Sequence, residues 1–154
     1  MKRYASLIQL SHDHHDGLVH ARRLAKSAAL PSTAAIATAQ EFLAWVGATL
    51  APHLAIEERL LADIAPSVAA ASAETFATQR DRMLAEHAAL RAHCAALEQE
   101  LLLGAPSPQQ VIKLGELLRD HIRFEERELF GTVQESVPEP ILTAAVAKAE
   151  SPTR

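Results

Sequence analysis

Two segments of this chain share one pattern. His53-Leu54-Ala55-Ile56-Glu57-Glu58-Arg59 and His121-Ile122-Arg123-Phe124-Glu125-Glu126-Arg127 both read H-x-x-x-E-E-R. Residues four apart on a helix lie on one face, one above the other. Each segment therefore directs an imidazole and a carboxylate to the same side. Two such helices facing each other would gather two histidines and two carboxylates around one cavity. Nitrogen and oxygen donors of that kind suit a pair of first-row metal ions better than they suit a hydrophobic core.

The elements that must position these residues are helices. Apolar periodicity and breaks predict four main helices over residues 4–29, 34–64, 73–103 and 109–135. A short one over 141–149 follows Pro138-Glu139-Pro140. Leu30-Pro31-Ser32-Thr33 reads as a break with an N-cap candidate, and Gly104-Ala105-Pro106-Ser107-Pro108 as a stop and turn. No strand pattern is present. Long helices with short links fold as an all-α, up-down-up-down four-helix bundle, here with a short C-terminal helix. The length suits one domain over residues 1–150, with a frayed tail at 151–154. Pro52, beside His53, removes a backbone donor and should kink the second helix there.

The inward stripes contain the chemistry. Helix two gives Val46, Leu50, His53, Glu57, Leu60 and Ile64, and helix four gives Leu114, Leu117, His121, Glu125 and Leu129. Helix three gives Met83, His87, Leu90, Cys94, Leu97 and Leu101, which turns His87 into the bundle. Helix one gives Leu7, Leu10, His14, Gly17, Ala21, Leu24 and Ala28; the neighbouring register, through His15, would bring Ser11 and Arg22 inward, so the ligand from this helix is His14 or His15, with the apolar pattern favouring His14. A carboxylate buried without a partner in an apolar bundle costs several kcal/mol. Metal ligation gives the two inward carboxylates and four histidines a reason to be there. The chain also repeats by halves. Asp13-His14 precedes the first H-x-x-x-E-E-R and Glu86-His87 the second, a pseudo-symmetry that matches a two-metal site with each half supplying the same donor set.

Composition narrows the class. Of 154 residues, 49% are hydrophobic, 22% charged and only 4% aromatic, which favours close packing of helix on helix. The net charge of −4 gives no basic footprint for nucleic acid. The single cysteine, Cys94, excludes an internal disulfide, fits a reducing compartment, and reads as small core filler. The start, Met1-Lys2-Arg3, is a poor signal peptide, and no apolar stretch reads as a membrane span. The cytoplasm is the expected location. Glu58, Glu126, Asp13 and Glu86 are expected to be exposed or flanking, with a role as histidine partners as the alternative. Arg59 and Arg127 are expected to pair with surface acids. His12, His20 and His93 read as solvated, and Trp45 and Phe42 as packing at the bundle end.

With these residues in view, the chain resembles hemerythrin-like domains of the HHE cation-binding family. The resemblance is carried by Leu10-Ser11-His12-Asp13-His14-His15, by Pro52-His53-Leu54-Ala55-Ile56-Glu57-Glu58-Arg59-Leu60-Leu61, by Glu86-His87-Ala88-Ala89-Leu90, and by the segment Asp120 to Phe130. It extends over residues 7–137. It implies a four-helix bundle around a carboxylate-bridged centre of two non-haem iron ions, with Zn or Mn as other metals. It carries ligand roles onto His14 or His15, His53, Glu57, His87, His121 and Glu125. The oxygen-carrying hemerythrins have a fifth histidine four residues after the third-helix histidine, and a bridging aspartate on the fourth helix. Here those places hold Arg91 and Glu125. The donor set is more similar to bacterial di-iron proteins linked to nitrosative or oxidative stress and iron-centre repair.

The function implied is that of a metal-binding protein that binds or reacts with O2, NO or peroxide, in sensing, stress response or iron handling. The alternatives are a metal-stabilised structural or interaction bundle without turnover, and a metallohydrolase using a metal-bound hydroxide. The expected partners are that small ligand and, at most, a second copy in a homodimer; no nucleic acid and no membrane is expected.

Overall fold

The computed structural model describes residues 2–151, all of them in helices, turns or short links, with no strand among them. Helix α1 spans Ile8–Lys26, after a 3-10 turn at Ala5–Leu7. Helices α2 (Ser32–Trp45) and α3 (Ala51–Ile64) run on through a π turn at Val46–Leu50 and form one rod. Helix α4 spans Ala73–Leu103. Helices α5 (Pro108–Phe124) and α6 (Phe130–Ser136) are joined the same way by a π turn at Glu125–Leu129. Helix α7, Glu139–Glu150, is the short C-terminal helix. The four long rods of the expected bundle are therefore present. The frayed tail expected at 151–154 lies, beyond Ser151, outside the described residues.

Local chemistry sets the ends. Gly104 closes α4 at φ 143°, a conformation that side chains disfavour. Ser107 then caps α5 by accepting the Gln110 N–H at 3.2 Å. Glu100 holds that cap, accepting the Ser107 N–H at 2.7 Å and its hydroxyl at 3.0 Å. Pro108 occupies the first turn, where no backbone donor is needed. At α2 the expected side-chain cap is not made; Pro31 stands at the N-cap and the helix begins at Ser32.

The two π turns fall beside the paired motifs. Pro52 has no N–H, and its ring crowds the carbonyl four residues back. The rod answers by widening, so that the Ala51 N–H bonds the Val46 carbonyl, five residues back. The kink expected at Pro52 thus takes the form of a π turn just before His53. The second has no proline: the Phe130 N–H bonds the Glu125 carbonyl. Such turns concentrate at functional positions in helices.

The apolar core is divided in two. One cluster holds Leu10, Leu60, Ile64, Met83, Phe124, Leu129 and Phe130, with Leu142 and Val146 of α7. The other holds Leu24, Phe42, Leu54, Leu90, Leu97, Leu114 and Leu118. Along each rod the inward polar residues fall between the two. The expected stripes therefore point inward, with Leu54 and Leu61 added on α3.

Two expectations are corrected. Arg59 pairs with no acid among the described residues; its guanidinium donates to the Ala149 carbonyl at 2.6 and 3.1 Å, fastening the C-terminal end of α7 to α3. The helix Ser32–Ser67 also carries an 18-residue window of mean hydropathy 1.2, long and apolar enough by composition to cross a membrane, contrary to the sequence reading. Only 17% of that window is buried, because much of its hydropathy comes from alanine on outward faces. The same helix supplies Phe42, Leu50 and Leu54 to the core.

Helices α1 and α5 pack closely at Gly115. A Cβ there would lie 2.6 Å from the Ala21 carbonyl oxygen and 2.9 Å from the Ala25 Cβ. Neither atom is the end of a flexible side chain, so the helices would have to part. Gly115→Ala is expected to destabilise the fold by about 1–3 kcal/mol in urea titration, as overpacking does. Gly131 has nothing within 4 Å of its would-be Cβ. Gly131→Ala should stabilise by about 0.5–1 kcal/mol through helix propensity. Equal effects of the two substitutions would count against this account of α1–α5 packing.

Candidate metal centre

Four histidines and two glutamates meet in the layer between the two apolar clusters. His14, His53, Glu57, His87, His121 and Glu125 are each at most 4% exposed. Their ligating atoms form two groups that could each hold a metal ion, within 4.8 Å in each: His14, His53, Glu57 and Glu125; and Glu57, His87, His121 and Glu125. Both glutamates belong to both groups. His15 is exposed and stands outside them. One residue on from His14 is about 100° round α1, and that turns His15 to solvent. Of the two, His14 is the one whose ring reaches the donor groups.

The inner contacts are short. His14 Nε2 lies 3.1 Å from Glu57 Oε1 and 3.1 Å from Glu125 Oε1. His87 Nε2 lies 3.1 Å from Glu57 Oε2, and His53 Nε2 closes on Glu57 Oε1 within its own helix. His53 Nε2 and His14 Nε2 face each other at 3.0 Å. His121 Nε2 lies 2.9 Å from Glu125 Oε1, but the two are not aligned as a hydrogen bond. His121 Nε2 and both Glu125 oxygens are buried with no hydrogen-bond partner.

All four histidines are held from behind at Nδ1. His53 Nδ1 is 3.0 Å from Asp13 Oδ2, and His87 Nδ1 is 2.9 Å from Glu58 Oε1. His121 Nδ1 is 2.8 Å from Glu86 Oε1, and His14 Nδ1 is 2.8 Å from Glu126 Oε1. The acid on each rod holds the histidine of the next rod round, from α1 to α3, α3 to α4, α4 to α5, and from the π turn after α5 back to α1. An imidazole that donates from Nδ1 to a carboxylate and is neutral keeps its lone pair at Nε2. The centre then consists of lone pairs converging with carboxylate oxygens, which repel one another unless cations or protons lie between them.

The titration of these groups reflects that pull for positive charge. Burial pushes His53 down, but the Glu57 charge and the Asp13 hydrogen bond outweigh it and lift His53 to about 9. Burial likewise opposes His121, which the Glu125 charge beside it and the hydrogen bond of Glu86 raise to about 10. Glu57 is held well below the usual carboxylate range; burial opposes this, and His53, His14 and His87 overcome it. Glu126 falls to about 2 against its burial, through His14 and Ser11.

A cation fits this centre. The orphaned atoms of Glu125 and His121, the facing Nε2 atoms and the shared glutamates are what metal ligation satisfies, and imidazole with carboxylate is a donor set for first-row divalent ions. The Nδ1 carboxylates match the outer partners that fix the tautomer and orientation of ligating histidines.

Asp13 and Glu86 are not the exposed residues expected, and Glu58 and Glu126 do more than flank. Their signal was their repetition: an acid directly before the histidine in α1 and α4, and a second glutamate after the first in both H-x-x-x-E-E motifs. Trp45 also departs from expectation. It does not cap the bundle end but lines a cavity of about 10 Å³ with Gly17, Leu118, Ile122, His14, His53 and His121. That space is close to the smallest that holds one water molecule. His20, expected in solvent, stacks on Trp45 with ring centroids 4.5 Å apart at 18°. His93 is not free in solvent either, since its Nδ1 meets Gln110 Nε2 at 2.9 Å.

A buried histidine–carboxylate centre across four helical rods defines a metal-binding helical bundle. The chain belongs to the hemerythrin HHE cation binding domain family, whose model matches residues 5–133. Neither the curated proteins nor the solved structures gave a match. The domain is therefore a cation-binding one, and the two groups described above are where its residues could hold metal.

Two outcomes follow. His14→Ala, Glu57→Ala and Glu125→Ala are expected to lower the metal content of the purified protein, read by elemental analysis, while His15→Ala keeps it; the reverse behaviour of His14 and His15 would overturn the register. Cys94 is half-buried, and burial with the Glu98 charge pushes its thiol up to about 11. Its reactive thiolate therefore appears only as pH rises toward that value, and at pH 8 amounts to about 0.1%. Alkylation by iodoacetamide in the folded protein should be slow at pH 8 and quicken steeply above pH 10. Rapid labelling at pH 8 would contradict this placement.

Proposed function

We propose that the protein is a non-haem di-iron protein that binds or reacts with O2, NO or peroxide, in sensing, stress response or iron handling. The observation that carries this reading is the sharing of Glu57 and Glu125 by both donor groups. Two ions, each facing two histidines and both glutamates, would engage the inward donors of the centre. His14, His53, Glu57 and Glu125 would hold one ion, and His87, His121, Glu57 and Glu125 the other. The mixed imidazole and carboxylate set favours iron, with Zn or Mn as alternatives. Such a pair, when bound, supplies one-electron chemistry and open coordination positions.

The chain's own residues do the rest. Asp13, Glu58, Glu86 and Glu126 orient the imidazoles. The two apolar clusters keep water from the donors above and below. The cavity beside Trp45 favours a very small ligand: its volume of about 10 Å³ is far below the about 300–1,000 Å³ of ordinary small-molecule sites. This counts against a hydrolase acting on a larger substrate. We place the protein in the cytoplasm as a monomer or homodimer, in keeping with its single cysteine.

The test is spectroscopic. Protein loaded with Fe(II) without air should hold about two ions per chain and change its near-ultraviolet and visible absorption when O2, NO or peroxide is added. A protein that takes up only zinc, stays colourless and responds to none of them would sink the redox reading and leave a metal-stabilised bundle.

A further inference from the structure

The four histidine-holding carboxylates are not held alike. Glu58 Oε1 accepts from Arg91 Nη1 at 2.7 Å, Glu86 Oε2 from Arg82 Nε at 2.8 Å, and Glu126 Oε2 from Arg3 Nη2 at 2.8 Å. Arg91, at the place of the absent fifth histidine, thus acts from behind His87. Arg82 is itself steadied, with its guanidinium 3.9 Å over the Phe124 ring. Asp13 is the exception. Among the described residues its side-chain partners besides His53 are limited to the neutral amide of Gln9, which donates at 3.2 Å. The half-chain repeat makes this a matched comparison. Gln9 stands four residues before Asp13, as Arg82 stands four before Glu86. The first half has an amide where the second has a guanidinium.

This asymmetry divides the two donor groups. His87 and His121 both lean on arginine-held carboxylates. Of His14 and His53, only His14 does. The cavity falls on the same side: it touches both histidines of the first group but only His121 of the second. An arginine fixes the position of its carboxylate, and the carboxylate fixes the imidazole. Where that outer tie is a neutral amide and empty space adjoins the ring, the imidazole can leave its ion more easily.

Resting on the two-ion reading above, we infer that the two metal positions are inequivalent: the ion on His14 and His53 is exchangeable, and the ion on His87 and His121 is retained. Gln9 and Arg82 are the positioning residues that set the difference. Both are exposed on the outside of the bundle; Gln9 faces solvent, and Arg82 also covers the Phe124 ring, so Gln9→Arg is the exchange that leaves the core untouched.

The experiment loads the full chain with two equivalents of Fe(II) without air and follows release to a colour-forming ferrous chelator. Release should occur in two phases of one ion each, with rates about tenfold or more apart, the scale on which outer partners of ligating histidines act. Gln9→Arg should slow the fast phase toward the slow one. Asp13→Asn should quicken the fast phase and spare the slow one, and Arg82→Gln should quicken the slow phase alone. Two bound ions leaving in a single phase would overturn the inference while the di-iron reading stands. Gln9→Arg and Arg82→Gln that leave both rates unchanged would also overturn it. Fewer than two ions bound to the unaltered protein would sink the di-iron reading and this inference together.

Discussion

The structure depends on one constraint: a layer of charge and lone pairs sits across the middle of an apolar bundle. Two carboxylates and four imidazoles at most 4% exposed would cost several kcal/mol each if left unpaired. Everything near them is arranged to offset that cost. The inner atoms turn toward each other, where cations resolve them. The outer atoms are tied by carboxylates, and those in turn by three arginines and an amide. The apolar clusters on either side exclude water and so strengthen each of these contacts.

That arrangement links binding to stability. An ion that binds the folded donors and not the unfolded chain stabilises the fold by mass action. Without it, protons must supply the positive charge that the glutamates draw in, as the raised His53 and His121 indicate. The centre therefore accommodates either kind of cation, and Glu125, whose oxygens have no aligned hydrogen bond among the described residues, depends on the charge of whichever is present.

Much of this was legible in the sequence. The stripes placed His14, His53, His87 and His121 inward because a buried histidine keeps the apolar period of its helix, and the breaks at Pro31 and Gly104 divided the rods where the structure does. The outer carboxylates were not legible as ties. A residue about 100° round from an inward histidine reads as exposed on its own helix. Its role depends on the neighbouring rod, whose histidine presents Nδ1 into the seam between helices. Trp45 was misplaced for a related reason. The periodicity of its own helix does not give its height relative to α1, where the indole stacks on His20 and lies beside Gly17. Arg59 was read as a surface ion pair because nothing local announces that α7 folds back on α3.

The order in which each rod's acid holds the next rod's histidine closes into a hoop round the bundle. Two of its links stay within a half of the chain, and two cross between halves. The pattern is the same after every second rod: an acid before the histidine, then an acid after the glutamate. Two copies of either half alone carry all the groups needed to close the same hoop. In its bonding the chain has a twofold pattern, each half supplying the same two links. Gln9, standing where the second half has Arg82, is where that pattern is broken.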